Sequence, residues 1–548
     1  MTTKDLIYKL NLYAFQLELR NENQFKISTF RNAADFLTNS NVDIFSVYEK
    51  NKVNELPGFG NTLVKIVEDF IKTGTFPQLI KLSTIYPASL FELKKVKGLG
   101  TKRIKLLFET FSITNLNELE EAFNNGKLIN VKGISEEQKE IIYNSLTHVQ
   151  AGKNKILQDE CIELTNDLIA ILKNHSQITK VELAGETRRF SEIISQIDIL
   201  IESENSNIEY TQAAQDKISQ INSTGVKLNI EIIGQQNFYY RLNQLTGTKE
   251  FNNYFDEKFN LESIKNKNFS SEADLFKSLS IQYIPPELRE NELSINSAIE
   301  NTIPKLVKDS DLKGMLHIHT DWSDGKNTYE EMVQKCCEMG FDYVAICDHS
   351  KSSSYVNGLS EERIYKQFEI IEQIKDHYPN IKILKGIECD ILANGDLDYS
   401  DDLLSQLDIV VASIHSNFNL GKTEMTNRII KATENPYITI IGHPTGRILK
   451  TRAGYEIDID KFIDACSSNN KVIEINANPY RLDFSYINSK KAKDKGVKFA
   501  INPDSHKTST LKDIYIGIKV ARKAWLTKDD IINCLNYNDF IKQYSNNK

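Results

Sequence analysis

The stretch Leu316-His317-Ile318-His319-Thr320-Asp321-Trp322-Ser323-Asp324-Gly325 decides how the C-terminal half of this chain is read. Side chains alternate along a strand, so two histidines two apart in an extended segment face the same way. Asp324 follows in a Gly-terminated turn that can fold it back toward them. Imidazole and carboxylate together suit zinc, manganese or iron. Standing alone, the run would equally describe a polar strand end.

It does not stand alone. Six further segments end an apolar run in a metal-type residue: Tyr343–His349, Ile381–Asp390, Ile409–His415, Tyr437–His443, Val472–Asn478 and Val497–His506. Polar, helix-compatible stretches such as Glu361–His377 and Asp458–Ser468 lie between them. Strands that are apolar throughout and alternate with helices predict a parallel sheet. Seven such units predict a closed barrel with its chemistry at the strand ends. Six of the nine histidines fall at those ends. His148, His175 and His377 lack that context and read as ordinary surface or helix residues.

On these motifs, residues 314–548 resemble the polymerase-and-histidinol-phosphatase (PHP) family of metal-dependent phosphoesterases. The resemblance implies a distorted seven-stranded barrel holding two or three divalent metals, manganese or zinc. The ligand set it implies is His317, His319, Asp324, His349, Glu388, His415, His443, Asp504 and His506, with Glu388 shared between metals. Cations held there supply Lewis acidity for phosphoester hydrolysis. Two flanking residues are catalytic candidates. Asp348 reads as an orienting partner or as a solvated strand-end carboxylate. Arg447 reads as a phosphate clamp, because a guanidinium matches two oxygens at once, or as a surface arginine.

A chain of 548 residues is too long for one core and predicts three or more domains. An apolar fraction of 40% without a long uncharged run argues against membrane spans. The first residues lack a secretory signal, and seven irregularly spaced cysteines fit a reducing cytoplasm. A net charge of −8 offers no global attraction for nucleic acid, so DNA contacts must be local.

Local candidates lie near the N-terminus. Leu56-Pro57-Gly58-Phe59-Gly60 precedes an amphipathic helix, and Val96-Lys97-Gly98-Leu99-Gly100-Thr101-Lys102-Arg103 repeats the pattern with two basic residues. Val131-Lys132-Gly133 is a looser third copy. These are helix-hairpin-helix patterns, in which the glycines let backbone amides approach a phosphate. Together they predict a clamp on DNA backbone that ignores sequence.

From 151 to about 300 the pattern turns mixed: the run Lys180–Phe190 is followed by a strand candidate at Gln196–Ile201, and a second candidate lies at Val226–Ile233. With the hairpins, this part resembles the DNA polymerase X family, specifically bacterial members that carry a C-terminal PHP domain. The resemblance covers essentially the whole chain. It implies a multidomain α+β and α/β protein: an N-terminal helix-hairpin-helix domain (1–85), a second, fingers-like one (86–150), a palm (151–245) and a thumb (246–300). A linker (301–313) then leads to the PHP barrel (314–548).

The palm departs from the family's pattern. The Ser of its Gly-Ser turn is Glu186, after Gly185. The Asp-x-Asp pair is Gln196-Ile197-Asp198, and the third Asp is Asn229. Two-metal nucleotidyl transfer needs clustered negative charge, and two of three carboxylates are amides. Glu231, two along from Asn229, is the residue that could restore a site with Asp198. Arg188, Arg189, Thr246, Gly247 and Lys249 remain as possible holders of a DNA end. The lysine that some family members use for sugar-phosphate lyase chemistry falls at Ile66, beside Lys65, so that activity is not expected.

The reading is a cytoplasmic, monomeric DNA-repair enzyme acting on gapped or 3′-ended DNA: a 3′–5′ exonuclease or end-processing phosphodiesterase with a degenerate polymerase module. The alternatives are a working gap-filling polymerase with an associated exonuclease, and a small-molecule phosphatase of the histidinol-phosphatase type.

Overall fold

Leu63, Ile66, Val67 and Phe70 fall at i, i+3, i+4 and i+7 of α1 (Asn61–Thr73) and bury one stripe of it. Gly74, at φ +76°, ends that helix in the left-handed conformation glycine tolerates best. Helices α2 (Thr101–Phe111) and α3 (Glu136–Ala151) complete the other hairpin units. One apolar core runs from Leu6 to Val149. Ile66 is inside it and Lys65 is exposed, so a buried aliphatic side chain occupies the expected lyase position.

The computed structural model describes every residue except 41, 129–130, 132, 235–236, 260–263, 266 and 547–548, and it omits the side chains of 39, 40, 148 and 151. Lys132 of the third hairpin pattern and the His148 ring therefore lie outside the described residues. Two compact units result, Met1–Lys153 with Lys450–Arg452, and Asn154–Leu449 with Ala453–Lys548.

In the second unit, β1 (Lys180–Ala184), β2 (Gln196–Glu202) and β3 (Lys227–Ile233) form a sheet in the order β1-β2-β3. β2 runs antiparallel to β1 and parallel to β3, which sets Asp198 opposite both Ala184 and Asn229. A separate core around Phe251, Phe255 and Phe276 supports the segment that follows.

The barrel is built from β4 (Gly314–Ile318), β5 (Tyr343–Ile346), β6 (Lys382–Asp390), β7 (Ile409–Ser413), β8 (Ile440–Ile441), β9 (Val472–Asn476) and β10 (Phe499–Asn502). The strands lie side by side in sequence order, all parallel, with helices in most of the intervening crossovers. A bridge between Ile318 and Ser505 joins the two edges, which nearly closes the barrel. The order matches the seven β/α units expected from the sequence. No helix among the described residues is long and apolar enough to cross a membrane.

The two ends of the barrel differ in chemistry. Tyr343, Ile409, Ile440 and Val472 each begin a strand and pack into one apolar cluster with Phe540 from the last helix. The Phe540 ring stacks on Tyr343 at 5.0 Å. Polar side chains gather at the opposite, C-terminal strand ends. Phe540→Ala should therefore cost about 3–5 kcal/mol, the usual penalty for emptying a buried phenylalanine site. Chemical denaturation of the full chain, followed by the signal of the barrel unit, measures it.

Candidate metal centre

Each expected ligand sits just beyond or at the end of a barrel strand, and local geometry turns it inward. His317 is the next-to-last residue of β4, where pairing with β5 shifts register between Met315 and Ile318. The next turn folds tightly: Gly325 N–H donates to the Thr320 carbonyl at 2.8 Å, and a Cβ on Gly325 would lie 2.6 Å from that backbone. Only glycine allows this approach, which brings Asp324 back to the histidines. His443 and Asp504 hold positive φ values of +25° and +49°, rare for residues with side chains and concentrated at functional sites.

The nine residues converge. Glu388, fully buried, has its carboxylate 2.9 Å from His349 Nδ1, 3.0 Å from His443 Nε2 and 3.3 Å from His415 Nε2. The Nε2 atoms of His317 and His319 lie at 3.6 and 3.7 Å from it. Asp504 approaches His319 Nε2 at 3.0 Å, and Asp324 lies 3.2 Å from His506 and 3.6 Å from His349. Three donor groups have ligand atoms within 4.8 Å of one another: His319, Asp324, His349 and His506; His317, His319 and Asp504; and His349, Glu388 and His415. His349 belongs to two of them, as does His319.

This donor set fits divalent cations. It is made of imidazoles and carboxylates only. Among the described residues, buried His319 Nδ1 and His443 Nδ1 have no hydrogen-bond partner, although buried polar atoms almost always find one.

The electrostatics reflect how closely imidazoles and carboxylates are packed. Burial alone would strip the proton from His317, but Glu474, Glu388 and Asp504 together raise it well above its ordinary value. His415 is pushed up to about 10 against burial, chiefly by Glu388 and Asp390, and His506 to about 9, chiefly by Asp324 and Asp504. Burial, reinforced by His506 and His349, drives His319 down to about 3. Glu388 and Asp504 stay well below the carboxylate range because the histidines outweigh their burial. Protons on imidazoles thus balance carboxylates that cations would otherwise balance.

Two carboxylates escaped the sequence reading. Glu474 accepts from His317 Nδ1 at 2.7 Å, from Asn502 Nδ2 at 2.9 Å and from the His443 amide at 2.8 Å. Asp390 holds His415 Nδ1 at 2.5 Å and takes hydroxyls from Ser352 and Ser353. A carboxylate behind a ligating imidazole fixes its tautomer and ring orientation. Both stand in the strand-end runs already noted, Glu474 two residues before Asn476 and Asp390 two after Glu388, so the signal was present without a rule to select them.

The two flanking candidates divide: Asp348 sits as an orienting carboxylate would, and Arg447 is engaged elsewhere. Asp348 is fully buried, not solvated. It accepts from Thr320 N at 2.8 Å, Thr320 Oγ1 at 2.7 Å, Ser323 Oγ at 2.5 Å and Gln367 Nε2 at 2.7 Å. It therefore pins the turn that presents Asp324 and is a positioning residue. Arg447 is not available as a phosphate clamp. Its guanidinium donates to Glu192 at 2.7 Å, to the Arg481 carbonyl at 3.0 Å and to the Leu482 carbonyl.

The palm residues also find internal partners. Asp198 Oδ1 accepts from Gln196 Nε2 at 2.7 Å and Asn229 Nδ2 at 2.9 Å. Gly185, at φ +60°, packs so closely that a Cβ would lie 2.2 Å from Asp198 Oδ2. Glu186 accepts from Ser195 N and Oγ and from Gln196 N, which ties the start of β2. Glu231 forms a two-pronged pair with Arg241 at 2.6 and 2.8 Å, so it offers no spare charge to Asp198. Arg188 binds Thr246 and Glu272, and Arg189 binds Glu290 and the Thr246 carbonyl, so neither guanidinium is free for a DNA end. Lys249 is exposed.

Among the hairpins, Gly58 and Gly98 take φ of +80° and +90°. Gly60 and Gly100 cap α1 and α2 without any side-chain cap, and nothing lies within 4 Å of a Cβ at either. Arg103 braces the second loop through the Gly98 carbonyl, and Lys102 is exposed. The third unit differs: Ser135 and Gln138 cap each other's amides ahead of Glu136 and Glu137, which leaves no open anion site there.

A parallel barrel that gathers six imidazoles and three carboxylates at its strand ends is a PHP-type domain. Comparison with known proteins agrees: the PHP domain family matches residues 315–478, and a helix-hairpin-helix domain family matches residues 1–76. The DNA polymerase/3'-5' exonuclease PolX of Bacillus subtilis (strain 168) is 32% identical over 573 residues, covering 99% of this chain and 100% of that protein. A Thermoanaerobacter sp. (strain X514) protein named "Probable phosphatase" is 30% identical over 228 residues, 40% of this chain and 88% of its own length. The chain belongs to the bacterial DNA polymerase X family that carries a C-terminal PHP domain.

Two outcomes follow from the geometry. Glu474→Gln should weaken metal affinity about ten- to a hundredfold, measured by calorimetric titration with manganese or zinc. His415 and His506 are raised, so they hold protons below about 10 and about 9 and lose them above. A cation must displace those protons, so affinity should climb between about pH 6 and about pH 9. Titrations in buffers of different ionisation enthalpy should show proton release at the low end.

Proposed function

We propose that this chain is a metal-dependent 3′–5′ DNA exonuclease and end-processing phosphodiesterase acting in DNA repair, and that its family X module holds DNA without copying it. The observation that carries this reading is a contrast within one chain. Eight metal-type side chains gather with Glu388, while the palm carboxylate Asp198 is covered by two amides.

The contrast has a physical basis. Two magnesium ions and a triphosphate need several anionic oxygens with free lone pairs. Gln196 and Asn229 contribute no charge, and their N–H groups occupy the lone pairs of Asp198 Oδ1. At the barrel, His317, His319, Asp324, His349, Glu388, His415, His443, Asp504 and His506 would hold two or three manganese or zinc ions. Ions so bound supply a nucleophile near neutral pH and offset charge on the phosphate. Glu474 and Asp390 keep His317 and His415 oriented, and Asp348 keeps Asp324 in reach.

DNA as the polymer is supported by the open hairpin loops at Gly58–Gly60 and Gly98–Gly100, whose helix N-termini suit phosphate. The name of the Bacillus subtilis relative includes both polymerase and 3'-5' exonuclease. The small-molecule reading is favoured by the phosphatase names of the barrel-only relatives. It leaves the hairpins without a use.

With manganese and a 5′-labelled oligonucleotide, the purified chain should produce a ladder shortened from the 3′ end. His349→Ala should abolish it, since His349 belongs to two of the three donor groups. Nucleotides added to a gapped duplex should give no primer extension. Templated extension would overturn the polymerase half of the reading, and turnover of a small phosphomonoester without any shortening of DNA would overturn the other half.

A further inference from the structure

Two residues at the rim of the barrel stand out because the site already described does not use them. Tyr355 is 73% exposed, yet the loop that carries it is fastened firmly. Ser352 and Ser353 donate to Asp390, the carboxylate behind His415, and the Ser352 amide donates to Asp398 at 2.6 Å. Asn357 donates to the Trp322 carbonyl at 2.9 Å, which ties the same loop to the turn that presents Asp324. Tyr355 lies between these two tethers, on the loop that runs from the Asp390 contacts to the Trp322 turn. An exposed aromatic ring carried on a loop tethered on both sides of it offers a face on which another flat group can stack.

Arg481 is the second. Its Nε lies 3.8 Å from Asp504 Oδ2, beyond hydrogen-bond length, and this is its one ion pair among the described residues. Arg447 fixes it from behind by donating to the Arg481 carbonyl at 3.0 Å. The guanidinium is 23% exposed at the edge of the cluster. A partly shielded guanidinium with unspent donors beside a metal-type site matches a phosphate oxygen in charge and geometry.

We propose that Tyr355 and Arg481 form the receiving site for the terminal nucleotide of a single-stranded 3′ end, the tyrosine ring stacking on the base and the guanidinium binding a non-bridging oxygen of the scissile phosphate. This rests on the phosphodiesterase reading above. Both loops end beside the ligands, Tyr355 through Asp390 and Asp324, and Arg481 through Asp504. A base on the ring therefore leaves its own phosphate close to the cluster. Stacking ignores base identity, so the site would accept any ordinary nucleotide and lose its grip on a residue without a base.

The test uses the full chain with manganese and two 5′-labelled single strands, one ending in an ordinary nucleotide and one in a base-free sugar phosphate. The wild type should prefer the base-bearing end through KM. Tyr355→Ala should raise that KM about five- to 150-fold and erase the preference, and Tyr355→Phe, which keeps the ring, should rescue it. Arg481→Gln should lower kcat/KM about ten- to a hundredfold on both ends while bound metal, by elemental analysis, matches the wild type. Anisotropy of the base-bearing strand in chelator should fall for Tyr355→Ala as well. The proposal is overturned if Tyr355→Ala weakens both ends equally or neither, if Tyr355→Phe behaves like Ala, or if Arg481→Gln sheds metal. If the wild type shortens neither strand but hydrolyses a small phosphomonoester, the phosphodiesterase reading itself fails, and this proposal with it.

Discussion

A fully buried carboxylate surrounded by imidazoles governs the C-terminal half of this protein. Taking an ionised glutamate out of water costs several kcal/mol unless partners compensate. Glu388 has five such partners, His317 and His319 from the end of β4 and His349, His415 and His443 from three later strand ends. Those turns meet only if consecutive strands pair in parallel and in the observed register, so the charge balance at one end of the barrel constrains the topology of the whole. The apolar plug at the strand starts, with Tyr343 against Phe540, carries the burial that makes this affordable.

That dependence explains what could be read in advance. The barrel was legible because its strands are apolar throughout, its crossovers are polar and helical, and the residue ending each strand is chemically distinctive. The ligands were legible because position along a strand fixes where a side chain emerges. Partner choice was not legible. Arg447 and Arg481 look equally capable in sequence, but only the fold shows one guanidinium spent on Glu192 and two carbonyls and the other left facing Asp504. Glu474 likewise looks like any carboxylate in a strand until His317, Asn502 and the His443 amide arrive from three other segments. The third hairpin repeats the glycine but not the open helix start, because Ser135 and Gln138 close it.

The palm illustrates the opposite balance. A catalytic carboxylate cluster is held under repulsion, and metals relieve it. Replacing two of the three acids by amides turns repulsion into hydrogen bonding, with Asp198 now accepting from both neighbours. The result is a hydrogen-bonded network centred on Asp198. Glu186 acts in the same sense: where a hydroxyl would serve a triphosphate, its carboxylate binds the backbone at the start of β2.

Retention of the palm and the following segment has its own physical reason. Arg447 reaches Glu192, Arg522 reaches Glu287 at 2.7 Å, and Lys523 reaches Glu290 and the Arg189 carbonyl. Val307 N–H donates to the Leu526 carbonyl, and Leu157 and Val307 lie in the same apolar core as the barrel helices. Removing residues 154–313 would strand these barrel cations without their carboxylates, and truncating one side of such a pair is costlier than never having built it. The same Arg447 that bridges to Glu192 holds the Arg481 carbonyl, so the palm is coupled through one side chain to the rim of the candidate metal centre. The amide substitutions at Gln196 and Asn229 therefore do not free the palm to be lost.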